Sequence, residues 1–255
     1  FLVFFNFTEN PNVWIDGGTF TEVARNLALH GKQALQVSPG ILEPASLYST
    51  SGYTLIFPVT TSFYLFGVGL FQARIVMALY MVVLVLLFYL FAKNRYGFYP
   101  AITSVLLLVS FGPFYGNGRA VQGEVPGIVF IVLGALLFLF LEKGNFANKK
   151  ISFLSGIGFG LAAATKPLFL IVLLPALFLA IILFIKRINN KKVLIFFFIG
   201  LILPLVLWLF IQFPTSELLV NALPIYLSGN PVEGASGFEF FKINIKRAFT
   251  ESTPL

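Results

Sequence analysis

The 255-residue chain is 58% hydrophobic and only 11% charged, with a mean hydropathy of +0.92. Soluble globular domains carry about 25% charged residues, and a chain this apolar cannot clothe a water-facing surface, so lipid is its expected solvent. The formal charge is +7, but its basic residues sit in short clusters between apolar spans. That pattern argues against nucleic acid as a partner. No cysteine is present, which excludes disulfides, zinc-thiolate sites and thiol nucleophiles within this sequence.

In chain order, Phe1-Leu2-Val3-Phe4-Phe5 is too short to cross a bilayer, which takes ~20 apolar residues. It reads as the outer end of a first transmembrane helix whose start is missing. Ser252-Thr253-Pro254-Leu255 stops without a folded conclusion, so the expectation is a fragment of a longer chain, truncated at both ends. Residues 8–73 read as the first extracytoplasmic loop. Within it, Asp16 reads as an N-cap for a helix over Gly18–Leu29. Tyr53–Gly69 is apolar, but it contains Pro58 and several hydroxyl residues. It is expected to lie against the outer leaflet as a juxtamembrane helix.

Residues 74–213 are expected to hold five to six transmembrane helices. Clear spans run over Arg74–Ala92, Tyr99–Tyr115, Val125–Leu141 and Val193–Phe213. The 35-residue run Ile151–Ile185 would reach roughly 52 Å as one helix, against a hydrocarbon core of ~30 Å. Lys166-Pro167 divides it into two shorter helices. Residues 214–255 read as an extracytoplasmic or interfacial segment, with Phe238–Phe249 as a candidate amphipathic helix.

Orientation follows from the basic loops. The clusters are Lys93/Arg95, Lys143/Lys149/Lys150 and Lys186/Arg187/Lys191/Lys192. Two spans separate each neighbouring pair, so all three can face the cytoplasm. Residues 6–73, loop 116–124 and the turn Thr165-Lys166-Pro167 then face the other side, with every acidic residue except Glu142.

The candidate site residues follow from that placement. Asp16 either caps a helix or acts chemically. Glu124 closes a glycine-rich polar loop that matches no Walker or Rossmann pattern; it is a solvated helix-start acid or a site acid. Arg74 and Lys166 stand at outer helix ends. Such boundary charges either snorkel to headgroups or serve function. Gly156, Gly160 and Ala164 form a small-residue face suited to helix packing. His30 is the only histidine, which leaves a Ser-His-Asp triad or a two-histidine metal site poorly supported. Carboxylates can activate an acceptor, and cations can hold a phosphate leaving group at headgroup depth. A transporter or flippase is the competing reading, but it should place polar groups deep in the spans. Spans 74–92 and 193–213 almost lack them.

The order of motifs resembles the GT-C glycosyltransferases, in the family of protein O-mannosyltransferases and aminoarabinose transferases. The residues that carry it are Asp16 with Ala24-Arg25-Asn26-Leu27, Thr50-Ser51-Gly52-Tyr53, Leu65-Phe66-Gly67-Val68 and Ala73-Arg74-Ile75. Arg119 with Glu124 and Ala164-Thr165-Lys166-Pro167 follow. The resemblance implies an all-α polytopic membrane bundle with extracytoplasmic juxtamembrane helices. It also implies inverting sugar transfer from a polyprenyl-phosphate donor to a lipid, glycan or protein acceptor outside the plasma or cell inner membrane. Asp16 would be the general base. Arg74 and Lys166 would contact the donor phosphate, and Arg119 and Glu124 would shape the pocket. The family's Asp-Glu pair is not kept, because Gly17 follows Asp16, and Ser51-Gly52-Tyr53 replaces its Pro-Pro-Leu element. The acceptor, and the use of a divalent cation, stay open.

Overall fold

The computed structural model describes residues 8–9, 13, 15–47, 52–166, 168–169, 173–174, 178 and 191–228. Phe1–Phe5, Phe238–Phe249, Lys186/Arg187 and most of the second half of the 151–185 run lie outside them. The chain divides into two compact units, Phe1–Gln212 and Phe213–Leu255.

The first unit is a helical bundle with a small cap. Helix α1 spans Ile15–His30. An antiparallel hairpin follows, β1 over Ala34–Ser38 and β2 over Ile41–Pro44, then a 3-10 turn at Ala45–Leu47. Helix α2 covers Tyr53–Phe66. The remaining helices are α3 (Leu70–Tyr96), α4 (Phe98–Ser110), α5 (Gly112–Gly118), α6 (Glu124–Lys143), α7 (Lys149–Thr165) and α8 (Lys191–Gln212). In the second unit, α9 spans Ser216–Ser228, and its start is capped by Thr215 Oγ1, which accepts from the Leu218 amide at 3.3 Å.

Among the described residues, Leu70–Tyr96, Glu124–Lys143 and Lys192–Gln212 are long and apolar enough to cross a membrane. Their outward faces are oily. Leu79, Val82, Val83 and Leu86 on α3 and Ile199, Ile202, Leu203 and Phe210 on α8 are all exposed. Water would penalise such surfaces; hydrocarbon does not. The protein is therefore an integral membrane protein. Helix α2 has only 14 residues, about 21 Å of length, too little to cross the hydrocarbon alone.

Side-chain contacts fix the helix directions. At one end Arg95 Nη1 meets Glu142 Oε2 at 3.3 Å and Lys143 Nζ donates to the Asn94 carbonyl at 2.8 Å. Helices α3 and α6 therefore finish together. Helix α7 runs against α6, since Ser155 Oγ donates to the Gly134 carbonyl at 2.8 Å and Lys166 meets Glu124. Helix α8 runs alongside α7 in the same direction: Ser152 Oγ donates to the Val193 carbonyl at 2.7 Å, and further up Gly156 and Gly160 abut the backbone at Phe197 and Leu201. One end of the bundle thus gathers Lys93, Arg95, Lys143, Lys149, Lys150 and Lys192. The other holds the starts of α3 and α6 and the ends of α7 and α8.

Three local features depart from the sequence expectations. Asp16 does not cap α1: the helix starts one residue earlier, and Asp16 lies in its first turn, where its charge still suits the positive end of the helix dipole. The hairpin was not anticipated, because strands of five and four residues carry no regular alternation of burial. The expected span Tyr99–Tyr115 is broken at Phe111 into α4 and α5. Pro113 causes the break, since proline has no N–H to donate to the carbonyl four residues back. That carbonyl, on Val109, instead accepts from the Tyr115 hydroxyl.

Proline in α2 is accommodated the same way. Pro58 cannot donate to the Thr54 carbonyl, and the Tyr80 hydroxyl of α3 donates to it at 2.6 Å. Asn26, 1% exposed, ties α1 to the hairpin through Nδ2, which donates to the Ala34 carbonyl at 2.9 Å.

Candidate functional site

The end of the bundle opposite the lysine clusters carries all five candidate residues. Lys166 is the residue at which α7 stops. Its backbone is extended (φ −152°, ψ 123°), which turns it out of the helix. Its ammonium lies 2.6 Å from Oε1 of Glu124, the first residue of α6. Side-chain exposures of 23% for Lys166 and 46% for Glu124 leave the pair open to an incoming ligand. Glu124 Oε2 is buried and accepts no hydrogen bond among the described residues.

Arg74 sits in the first turns of α3 and is 2% exposed. With Gly17, Thr21, Leu70, Ala120 and Val121 it lines a small pocket where α1, α3 and the loop before α6 meet. Arg119, 8% exposed, donates from Nε to the Tyr115 carbonyl at 3.0 Å. Arg74 and Arg119 are thus two buried cations on neighbouring parts of this end.

Asp16 is placed differently. Its carboxylate is exposed and makes no hydrogen bond or ion pair among the described residues. Its neighbour Gly17 packs on the Val121 backbone, so Asp16 stands beside the Arg74 pocket without lining it. The structure joins Lys166 to Glu124 and buries both Arg74 and Arg119. Residues 119–124 connect Arg119 to Glu124, and Asp16 makes no hydrogen bond or ion pair with any of the four.

Residues that the sequence reading left outside the candidate site complete this end. Gly52, Tyr53 and Thr54, at the start of α2, bond to α7 and α8. The Gly52 amide donates to the Thr165 carbonyl at 2.8 Å, and Thr54 Oγ1 donates to Thr165 Oγ1 at 2.6 Å. Tyr53 donates to the Pro204 carbonyl of α8 at 3.4 Å. Burial pushes the Tyr53 phenol up from its usual range, so it stays a donor at any physiological pH. The available signal was hydroxyls placed beside Gly52 and Lys166. A larger open groove at the opposite end is lined by Asn148, Lys149, Lys150, Phe153, Leu154 and Phe196; it contains no acid and is far from these groups. No three of His, Cys, Asp and Glu gather as metal ligands among the described residues.

Residues 55–210 match the family model described as dolichyl-phosphate-mannose-protein mannosyltransferase. The chain belongs to this mannosyltransferase family. The matched segment runs from α2 to α8 and includes Arg74, Arg119, Glu124 and Lys166; Asp16 lies before it. No curated protein matches the sequence significantly. Two solved structures share the fold, both of ArnT from Cupriavidus metallidurans. The apo form has a TM-score of 0.65 at 18% identity and the form bound to undecaprenyl phosphate 0.66 at 16%. Each match covers 96% of this chain and 45% or 46% of ArnT. The chain thus spans just under half the length of these structures, and the likeness establishes the GT-C-type helical architecture for a mannosyltransferase-family chain.

Proposed function

We propose that this chain supplies the donor-phosphate and acceptor-activating groups of a membrane glycosyltransferase that uses a polyprenyl-phosphate-linked sugar. The observation that carries the reading is the concentration of cations at the bundle end away from the lysine clusters. Lys166 is held at 2.6 Å by Glu124, and Arg74 and Arg119 are both buried at this end. A lipid-linked phosphate presents its charge at headgroup depth, the depth expected for the ends of membrane-spanning helices. The family membership supports a lipid-phosphate sugar donor. So does the fold shared with a protein whose structure holds undecaprenyl phosphate.

In the reaction, an acceptor hydroxyl on a lipid, glycan or protein attacks the anomeric carbon. The bond to the phosphate oxygen breaks from the opposite side, which inverts the configuration. Asp16 takes the hydroxyl proton. Arg74 and Lys166 stabilise the departing phosphate, and Arg119 and Glu124 shape the pocket around it. The basic clusters put the other end of the bundle in the cytoplasm, so transfer takes place on the extracytoplasmic face of the plasma or cell inner membrane. Transfer from a labelled polyprenyl-phosphate sugar by full-length protein tests the assignment. Asp16→Asn should retain the fold and lose transfer. Undiminished transfer removes Asp16 as the base.

A further inference from the structure

Lys166 is poorly held by its own helix. It is the first residue past α7, and its amide reaches the Ala162 carbonyl only at 3.4 Å. What fixes its backbone comes from α2. The preceding residue, Thr165, is fully buried and gripped at two points. Its carbonyl accepts from the Gly52 amide at 2.8 Å, and its hydroxyl accepts from Thr54 Oγ1 at 2.6 Å. The same hydroxyl donates to the Leu161 carbonyl at 2.7 Å, so both its hydrogen-bonding roles are filled in one orientation. Gly52 must come this close: a Cβ there would lie 1.5 Å from the Ala164 carbonyl oxygen. On the other side, Gly123 lies against Thr165 and Lys166, whose side-chain carbons would stand in ordinary contact, at 3.4 and 3.6 Å, with a Cβ placed on it.

We propose that Gly52, Thr54 and Thr165 form a clamp that positions Lys166 for a lipid-linked phosphate. This rests on the phosphate role given to Lys166 above. The clamp joins two segments 111 residues apart. The start of α2, which differs from the family's Pro-Pro-Leu element, thereby sets where the cation stands. Thr54 and Thr165 are positioning residues: they touch no substrate and act through Lys166.

The test is binding of undecaprenyl phosphate to full-length protein in detergent, with thermal unfolding measured in parallel. Thr165→Val keeps the shape and removes the hydroxyl. It should weaken binding about 3- to 10-fold, while Thr165→Ser restores it. Thr54→Val, which removes one partner only, should weaken it less, and it serves as the second probe where Thr165→Val fails to fold. Unchanged affinity in a folded Thr54→Val or Thr165→Val protein, alongside weakened binding in Lys166→Ala, overturns the clamp and leaves the phosphate role standing. Full affinity in Lys166→Ala overturns both. Equal losses of affinity in Thr165→Val and Thr165→Ser also overturn the clamp, because they assign the effect to packing and not to the hydroxyl.

Discussion

Lys166 and Glu124 are 42 residues apart in sequence and 2.6 Å apart in space. Their contact sets the end of α7 against the start of α6, and it holds a cation where the chain leaves the helix. Both side chains keep a share of solvent exposure, so the pair contributes little to stability. Exposed ion pairs are typically worth about 0–1 kcal/mol.

Binding should respond much more than stability, and in opposite directions for the two partners. Lys166→Ala removes a cation and should weaken undecaprenyl phosphate binding by about tenfold or more, given that hydrogen bonds to charged groups contribute ~1.5–3 kcal/mol. Glu124→Gln removes a carboxylate that competes for the same ammonium and should tighten it. Titration of both variants with undecaprenyl phosphate decides this. Weaker binding in Glu124→Gln would mean that Glu124 serves to place Lys166 and not to compete for it.

Helices α7 and α8 approach closely enough that glycine is required between them. A Cβ on Gly156 would lie 2.1 Å from the Phe197 carbonyl oxygen, backbone against backbone, so the helices would have to separate. Gly156→Ala should cost about 1–3 kcal/mol. Gly116→Ala, where a Cβ meets nothing within 4 Å, should be neutral or slightly stabilising. Thermal unfolding in detergent separates the two outcomes. An equal Tm for both variants would contradict the packing.

Labelling can test the orientation of the bundle. This segment has no cysteine, so cysteines placed singly at Ile15 and Tyr96, both well exposed, report separately. In full-length protein with any other cysteines replaced, a membrane-impermeant maleimide should reach Ile15→Cys from outside intact cells. Tyr96→Cys, beside Lys93 and Arg95, should react only after permeabilisation. Reaction of both from one side would undo the two-ended arrangement on which the proposed site depends.

What the sequence revealed were features that repeat or cluster. The apolar runs gave α3, α6 and α8 to within a few residues, because lipid-facing helices need continuous hydrophobicity. The lysine clusters marked one bundle end. Arg74, Glu124 and Lys166 stood out because charges at span boundaries are rare. Pairwise relations were harder to see. Nothing local in Gly123-Glu124 points to Lys166, and Thr54 with Thr165 looks like ordinary hydroxyl content until tertiary packing brings them together. The break at Phe111 could have been read from Pro113, but the surrounding hydropathy concealed it. Asp16 was legible as a helix-start acid, yet its relation to the cations depends on how α1 docks, which Gly17 and Asn26 determine through contacts outside their own helix.

The two prolines point to a last prediction about how irregular helices survive in this fold. Pro58 deprives the Thr54 carbonyl of its helical donor, and the Tyr80 hydroxyl substitutes at 2.6 Å. Tyr80→Phe should therefore leave a buried carbonyl without a partner, at a cost of about 1–3 kcal/mol. In a Pro58→Ala background the amide at position 58 can bond to Thr54 again, and the same Tyr80→Phe change should then cost far less. A double-mutant cycle on thermal or denaturant unfolding isolates that coupling. If Tyr80→Phe costs the same in both backgrounds, the hydroxyl is not replacing the missing amide, and Tyr80 contributes through its ring alone. The Tyr115 hydroxyl on the Val109 carbonyl, four residues before Pro113, predicts the same coupling for Tyr115→Phe with Pro113→Ala. Since Val109 lies in the last turn of α4 and Tyr115 leads into Arg119, loss of that bond should also loosen the loop that carries Arg119 and leads to Glu124. Undecaprenyl phosphate affinity should fall in Tyr115→Phe even where the fold persists.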